Sequence, residues 1–179
     1  MSTPHDTVLS VVDLVDRPGA SRRVDAVFDP PADLDLPLVE AVGPLHLHGV
    51  LESVVEGILL RGTLEGEVRM QCARCLTPVA VDLSTDVAEL FLDPEDPRAD
   101  ADEVEPGYTI ADGRIDIDTL LRDALAPAVP VAPVCTPDCR GLCTECGADL
   151  NADPGHQHDE PADPRWSGLA GLRVERTGE

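Results

Sequence analysis

The chain has 179 residues, enough for one domain, or for one domain with a small appendage. Its 35 acidic and 13 basic residues give a net charge of −22, which makes broad contact with a nucleic-acid backbone unfavourable. Neither a signal peptide nor an apolar run of ~20 residues is visible, so we expect a cytoplasmic protein that contacts no membrane and keeps its thiols reduced.

The first third of the chain contains short apolar stretches separated by turn residues. We predict a short element over residues 8–15 and a strand over 22–28. A segment rich in proline and aspartate predicts a loop over 29–37, and a further strand should span 45–54.

The clearest pattern is in the middle of the chain. Apolar and polar side chains alternate from residue 60 to 72, and again from 79 to 92. A period of two over this length is typical of strands with one buried face. With only a short turn between them, the two segments predict an antiparallel β-meander.

The sequence beyond the meander changes character. Residues 93–105 are acidic and predict a solvated loop, followed by short strands at 108–110 and 114–117. Helical spacing of apolar residues predicts a helix near 117–126, with Asp116 as N-cap and Pro127 as its end. A second short helix should begin at Pro164 and place three apolar side chains on one face: Trp166, Leu169 and Leu172.

These elements predict an α+β protein, an antiparallel β-meander with one or two helices and a C-terminal zinc-knuckle tail. We expect a β-rich domain over residues 1–134 and a Cys/His-rich zinc-binding tail over 135–179. Prolines at 127, 130 and 133 should form an extended arm that leads to Cys135. The tail would then be clipped to the first domain through Cys72 and Cys75.

The six cysteines and a nearby His-x-His are the strongest functional signal. Cys72 and Cys75 lie at the predicted tip between two long strands, where a tight turn directs both thiolates at one metal. A closed structural zinc site takes four ligands, and eight candidates make two such sites. We assign Cys72, Cys75, Cys135 and Cys139 to the first site. The second site takes Cys143, Cys146, His156 and His158.

Two alternatives stay open at this point. The four C-terminal cysteines could share one zinc and leave Cys72 and Cys75 as a free dithiol, but the two histidines would then have no role. A redox reading of the same dithiol is possible because Arg74 would lower a thiol pKa. Redox motifs of the thioredoxin type open a helix, however, whereas this pair lies between strands.

Other motifs give little support for catalysis. His46-x-His48 has no partner ligands at matching spacing, so we interpret it as two solvent-facing histidines. Signatures of hydrolases, nucleotide-binding loops, metalloproteases and deaminases are absent. Two zinc sites with four protein ligands each leave no open position for water. We therefore expect no enzymatic activity.

Four motifs follow one another along the chain: Cys72-x-Arg74-Cys75-Leu76, Cys135-x₃-Cys139-x-Gly141-Leu142-Cys143-x₂-Cys146-Gly147, Leu150-Asn151 and Asp163-Pro164-Arg165. In this order they resemble the YceD family of large ribosomal RNA subunit accumulation proteins, and the resemblance covers residues 45–172. Where that family has a C-x-C after Leu-Asn, this chain has His156 and His158. Cysteine and histidine both bind zinc, so the exchange is consistent with a metal role.

The resemblance implies a role in accumulation or processing of 23S rRNA and in assembly of the large ribosomal subunit. The charge of the chain constrains how it would act. Arginines cluster only thinly, at residues 17, 22 and 23 and at 61 and 69, compared with the ~6–10 phosphate contacts of a tight binder. We therefore expect action on the large-subunit precursor through a basic ribosomal protein. An acidic binding module unrelated to ribosomes is the alternative.

Overall fold

The computed structural model describes residues 7–31, 36, 38–94, 107–158, 165 and 168. The described chain is mostly antiparallel sheet with one helix. It divides into two compact units, Met1–Cys139 and Arg140–Glu179. The sequence predicts a division between residues 134 and 135. In the structure the division comes after Cys139, so Cys135 and Cys139 belong to the same unit as the sheet.

A long hairpin forms the centre of the main sheet. Strands β5 (Gly57–Gln71) and β6 (Pro78–Leu92) pair along their whole length without a shift in register. The other side of β5 pairs with β4 (Leu45–Ser53) over residues 58–65 and with β3 (Val39–Val42) over residues 68–70. Strand β2 (Ser21–Phe28) adds to β4. The meander predicted from alternation is therefore present.

A second, smaller sheet and the helix follow the main sheet. Strands β1 (Val8–Ser10), β8 (Arg114–Asp116) and β7 (Ile110–Ala111) pair in that order, all antiparallel. Helix α1 (Asp118–Ala128) packs against β6 and buries one face. Leu92 joins the two regions, because its N–H donates to the carbonyl of Tyr108 at 3.0 Å.

The core lies on one face of the main sheet. Alternate residues of β5 are buried there, and Leu60, Val68 and Met70 have no exposed surface. Helix α1 contributes Leu120, Leu121 and Leu125 to the same hydrophobic cluster. Its aromatic members are Phe28, Phe91 and Tyr108, and the ring centroids of Phe91 and Tyr108 are 5.6 Å apart. Branched aliphatic side chains therefore supply most of the buried volume.

Three details differ from the sequence-based expectations. Strand β3 was not predicted, because its four residues are too few to show alternation. The N-cap of α1 is Ile117, and the Asp116 carboxylate accepts the N–H of Asp118 at 3.0 Å. The helix also continues through Pro127 to Ala128. Pro127 lacks the N–H that would donate to the carbonyl four residues earlier, so the helix loses one hydrogen bond there and ends at the next residue.

Some predicted elements lie outside the described residues. These are most of the acidic loop (95–105 of 93–105), the centre of the Pro/Asp-rich loop (32–35 and 37), and the short helix beginning at Pro164 with Trp166, Leu169 and Leu172. Within the described part of the chain, no helix is both long and apolar enough to span a membrane.

Candidate metal centres

The tip of the β5–β6 hairpin is a knuckle that places two thiols side by side. The N–H of Cys72 donates to the Thr77 carbonyl at 2.8 Å, and the N–H of Leu76 donates to the Cys72 carbonyl at 3.0 Å. Leu76 adopts a left-handed conformation with φ of 61°, which allows the chain to turn back into β6. Cys72 and Cys75 are both buried in this turn.

The arm that follows α1 brings two more thiols to the knuckle. The N–H of Ala73 donates to the Pro133 carbonyl at 2.8 Å, which fixes the arm against the turn. The sulfur atoms of Cys72 and Cys139 are 3.8 Å apart, and those of Cys75 and Cys135 are 3.6 Å apart. All four sulfur atoms lie within 4.8 Å of one another. We call this group the first centre.

The geometry of the first centre fits a tetrahedral metal. Four thiolates at ~2.3 Å from a zinc-sized ion have sulfur atoms ~3.8 Å apart. The sulfur–sulfur distances of 3.8 and 3.6 Å are close to this value and far longer than a disulfide bond. Four cysteine ligands complete a tetrahedron, so no position remains for a water or a substrate.

Hydrogen bonds favour the metal-binding thiolate form in this centre. Burial raises the pKa of the Cys72 thiol. Hydrogen bonds from the backbone N–H groups of Cys75, Arg74 and Cys135 together outweigh this effect and lower the pKa to about 6. The Thr77 hydroxyl, 3.0 Å from the Cys75 sulfur, and the Thr77 N–H hold the pKa of Cys75 below its usual value. The turn is therefore prepared for a cation before one binds.

Arg74 fastens the arm to the knuckle from outside. Its guanidinium donates to the Cys139 carbonyl at 2.8 Å and to the Pro137 carbonyl at 3.3 Å. Because Arg74 lies between Cys72 and Cys75, it links the two halves of the first centre without being a ligand. We therefore assign Arg74 a positioning role at this centre.

A second knuckle lies in the second unit. The N–H of Cys143 donates to the Ala148 carbonyl at 2.8 Å, and the N–H of Gly147 donates to the Cys143 carbonyl at 2.9 Å. Gly147 has φ of 75°, a conformation that glycine adopts without strain. Backbone N–H groups of Cys146 and Glu145 lower the pKa of the Cys143 thiol to about 6, against the effect of burial.

The two histidines complete this second centre. Nε2 of His158 is 3.2 Å from the Cys143 sulfur, Nε2 of His156 is 3.2 Å from the Cys146 sulfur, and the two Nε2 atoms are 2.9 Å apart. The four donor atoms lie within 4.8 Å of one another. They are slightly closer than the ~3.4–3.6 Å expected around a tetrahedral zinc, so a bound ion would spread them a little.

The outer nitrogens of both rings face carboxylates. Nδ1 of His158 is 3.4 Å from a Glu145 oxygen, and Nδ1 of His156 is 3.9 Å from an Asp153 oxygen. Metal-binding histidines usually have such a partner, because it orients the ring and increases its basicity. Arg140 closes the loop further by donating to the Pro154 carbonyl at 2.8 Å.

The structure brings together the same two sets of four residues that ligand spacing suggested. It does not place the four C-terminal cysteines in one group, so the rival pairing has no geometric support among the described residues. His46 and His48 are exposed on β4, and Nδ1 of His48 lies 3.3 Å from Asp25. Neither belongs to a metal-binding group in the described chain.

Sequence reasoning missed the residues that support the ligands. Thr77, Arg74, Glu145 and Asp153 were not assigned to the centres, although all lie within five residues of a ligand. Arg74 was noticed only as a group that would lower a thiol pKa. Short separation from a ligand is a signal that could have identified them, but their contacts depend on the fold of each turn.

One family model and several relatives match this chain. The profile described as "Large ribosomal RNA subunit accumulation protein YceD" matches residues 60–173. An uncharacterised protein of Mycobacterium tuberculosis is 37% identical over 155 residues, which cover 86% of this chain and 74% of that protein. An uncharacterised protein of Mycobacterium leprae is 34% identical over 167 residues, which cover 92% of this chain and 76% of that protein.

A shorter match concerns a plant protein. "Large ribosomal RNA subunit accumulation protein YCED homolog 1, chloroplastic" of Zea mays is 43% identical over 44 residues, which are 25% of this chain and 15% of that protein. No solved structure matches the chain at a significant level.

We expect native protein to carry two metal ions per chain, because each centre holds four donor atoms around one point. Cys75→Ser and His158→Ala should each retain one ion, as measured by metal analysis of purified protein. His46→Ala is the matched control for the histidine variant and should retain both. Two ions in His158→Ala would remove that residue from the second centre, and two reactive thiols in native protein would argue against a filled first centre.

Arg74→Ala should weaken metal binding at the first centre by about tenfold or more, although no ligand is lost, because supporting contacts of this kind affect affinity to that degree. Competition with a chromophoric chelator measures the change. Arg69→Ala removes an exposed arginine of β5 and serves as the matched control. Equal affinities in the two variants would show that Arg74 does not position the centre.

The lowered thiol pKa values predict retention of metal into mildly acidic solution. Protons compete with the metal for Cys72 and Cys143 only as the pH falls through about 6, since both thiols are mostly thiolate above it. Thr77→Val removes the hydroxyl beside Cys75 and raises the pKa of that thiol, so the first centre should release its ion at a higher pH. Thr144→Val is the matched control, and identical release curves for the two variants would contradict the role of Thr77.

Proposed function

This chain belongs to the YceD family, and we propose that it is a non-enzymatic accessory factor in the accumulation of 23S rRNA and the assembly of the large ribosomal subunit. The observation that carries the proposal is the family match over residues 60–173, which includes all eight candidate ligands. The name of the maize relative refers to the same process. We place this work in the cytoplasm, where large subunits are assembled.

We infer that zinc fills both centres. Sets of four cysteines, or of two cysteines and two histidines, in tetrahedral arrangement favour zinc over harder cations, which prefer oxygen ligands. Zinc in such closed sites supplies folding energy and does not activate water. In this proposal the first centre secures the arm to the hairpin, and the second gives the C-terminal unit its fold.

The charge distribution favours a protein partner. Two zinc ions and six thiolates would leave the net charge at about −24. Two arginines of the thin clusters already pair with carboxylates: Arg22 with Asp13 at 2.7 Å, and Arg61, whose Nε donates to Glu52 at 2.9 Å. These two side chains therefore offer a phosphate backbone little free positive charge. We propose that the chain acts on the large-subunit precursor through a basic ribosomal protein.

A redox role is the alternative from another class. The low pKa of Cys72 is a property shared with redox-active thiols. The presence of Cys139 at 3.8 Å and of Cys135 beside Cys75 favours a metal site over a free dithiol.

Depletion tests the proposal in cells. We expect depletion to lower the amount of mature 23S rRNA and of large subunits relative to small ones, measured by rRNA quantification and sucrose-gradient profiles. Wild-type protein should restore both, whereas Cys75→Ser should restore them poorly because the first centre is broken. His46→Ala serves as the control that should restore them fully. Unchanged large-subunit levels after depletion would favour an acidic binding module without a ribosomal role.

A further inference from the structure

Among the residues that the structure describes, no strand pairs with the outer edge of β6. On one side β6 pairs with β5 over its whole length. On the other side, within the described chain, only the end of the strand has a backbone partner, because the N–H of Leu92 donates to the Tyr108 carbonyl. An edge of this length presents unpaired backbone groups that can bind another strand.

The hydrogen-bonding register identifies which residues point outward. The N–H of Leu92 faces away from β5, and the β5–β6 ladder has no shift in register. The same parity follows from Gly57, which lies opposite Leu92 and directs its carbonyl to Val54 instead. Since backbone direction alternates along a strand, the outward residues are the even-numbered ones. They are Ala80, Asp82, Ser84, Asp86 and Ala88.

The side chains around this edge leave room for an added strand. Those of the five outward residues are exposed. On the core face, Val79 and Val81 are only half-buried, whereas their partners on β5, Met70 and Val68, have no exposed surface. The core face of the sheet is therefore incompletely covered at β6. A further strand with apolar side chains on that face would complete the cover.

The opposite face of the edge carries negative charge. Asp82 and Asp86 project from β6, and Glu65 and Glu67 project from β5 beside them. Arg69 lies opposite Ala80 and Arg61 opposite Ala88, so the negative charge is confined to the middle of this stretch. Glu67 lies directly opposite Asp82, and like charges in that position are unfavourable. Positive side chains on an added strand would relieve this repulsion.

We propose that the outer edge of β6, from Ala80 to Ala88, binds an extended basic segment of the partner protein as an additional strand. The segment would alternate arginine or lysine over the acidic face with aliphatic residues over Val79 and Val81. Backbone hydrogen bonds would hold it along about 30 Å of strand. The inference rests on the basic partner proposed above and names the surface that receives it.

Charge excludes the other occupants of a free edge. A second copy of this chain would set Asp82 and Asp86 against carboxylates of the same kind, on a molecule with a net charge of −22. A nucleic-acid strand would meet the same repulsion. The carboxylates thus keep the edge from self-association and leave it open to a cationic strand.

Binding of a synthetic peptide to the full-length, metal-loaded chain tests the proposal. The probe is a labelled nine-residue peptide in which arginine and valine alternate. Its binding is measured by fluorescence anisotropy over a range of salt concentrations. A version N-methylated at every residue keeps the charge but cannot donate a backbone hydrogen bond along either edge. We expect the unmodified peptide to bind at least about tenfold more tightly. Equal binding of both peptides, or binding of neither, would overturn the proposal.

A pair of substitutions at one position separates backbone pairing from side-chain effects. Ser84→Pro removes an outward N–H, and proline is tolerated on the open side of an edge strand. It should weaken binding of the unmodified peptide about tenfold, while Ser84→Ala, which keeps the N–H, should leave binding unchanged. Asp82→Asn should weaken binding about threefold at low salt, with little effect at high salt. Equal affinities for Ser84→Pro and Ser84→Ala would contradict strand addition.

Wild-type protein supplies a measurement that depends on no variant. Hydrogen exchange should slow at the amides of Asp82, Ser84 and Asp86 when the peptide binds, and protection elsewhere without protection there would refute the site. Failure of the cellular depletion test would remove the ribosomal role while leaving peptide binding intact. Failure of peptide binding alone would remove this surface and leave the ribosomal role standing.

Discussion

Convergence of four cysteine sulfurs on one point is the constraint on which the first unit depends. The knuckle lies at the end of the longest hairpin, and the arm reaches it only after the whole of β6, the small sheet and α1. Bringing together residues so distant in sequence costs loop-closure entropy on folding, but this cost grows only slowly with the length of the loop. The contact thus ties the C-terminal end of the unit back to its sheet.

This constraint also carries an electrostatic cost. Donor N–H groups lower the pKa of Cys72, and Thr77 lowers that of Cys75, so negative charge builds up in a largely buried space. Thiolates packed this closely repel one another unless a cation lies between them. The same hydrogen bonds that favour the thiolate form therefore favour a cation between the four sulfur atoms. Arg74 does not remove this repulsion, because its guanidinium is directed at carbonyls.

The two units differ in what stabilises them. The first buries an aliphatic core beneath its sheet, and its metal centre adds a connection to a fold that has other support. In the described part of the second unit, residues 140–158 have no fully buried apolar side chain. Leu142 and Leu150 are only half-buried. A segment of this kind depends on turn hydrogen bonds and on its ligands for order. Four donor atoms in each unit would close the coordination of a bound ion, an arrangement typical of structural metal sites.

Sequence alone determined the features that depend on local pattern. Alternation identified β5 and β6, helical spacing identified α1, and ligand spacing with a count of eight donors suggested the two sets of four. Each of these signals lies within a short stretch or follows from the chemistry of the donors. Strand β3 was missed because four residues carry too little pattern, and its place is decided by pairing with β5.

Tertiary structure decided what no local pattern contains. Only the fold shows that Arg74 reaches the carbonyl of Cys139 and that Glu145 and Asp153 face the histidine rings. It also shows that, among the described residues, most of the outer side of β6 has no paired strand. Cys135 and Cys139 belong with the sheet because hydrogen bonds hold the arm against the knuckle. The physical reason is the same in each case. These contacts join segments through backbone direction and register, which arise only when the chain has folded.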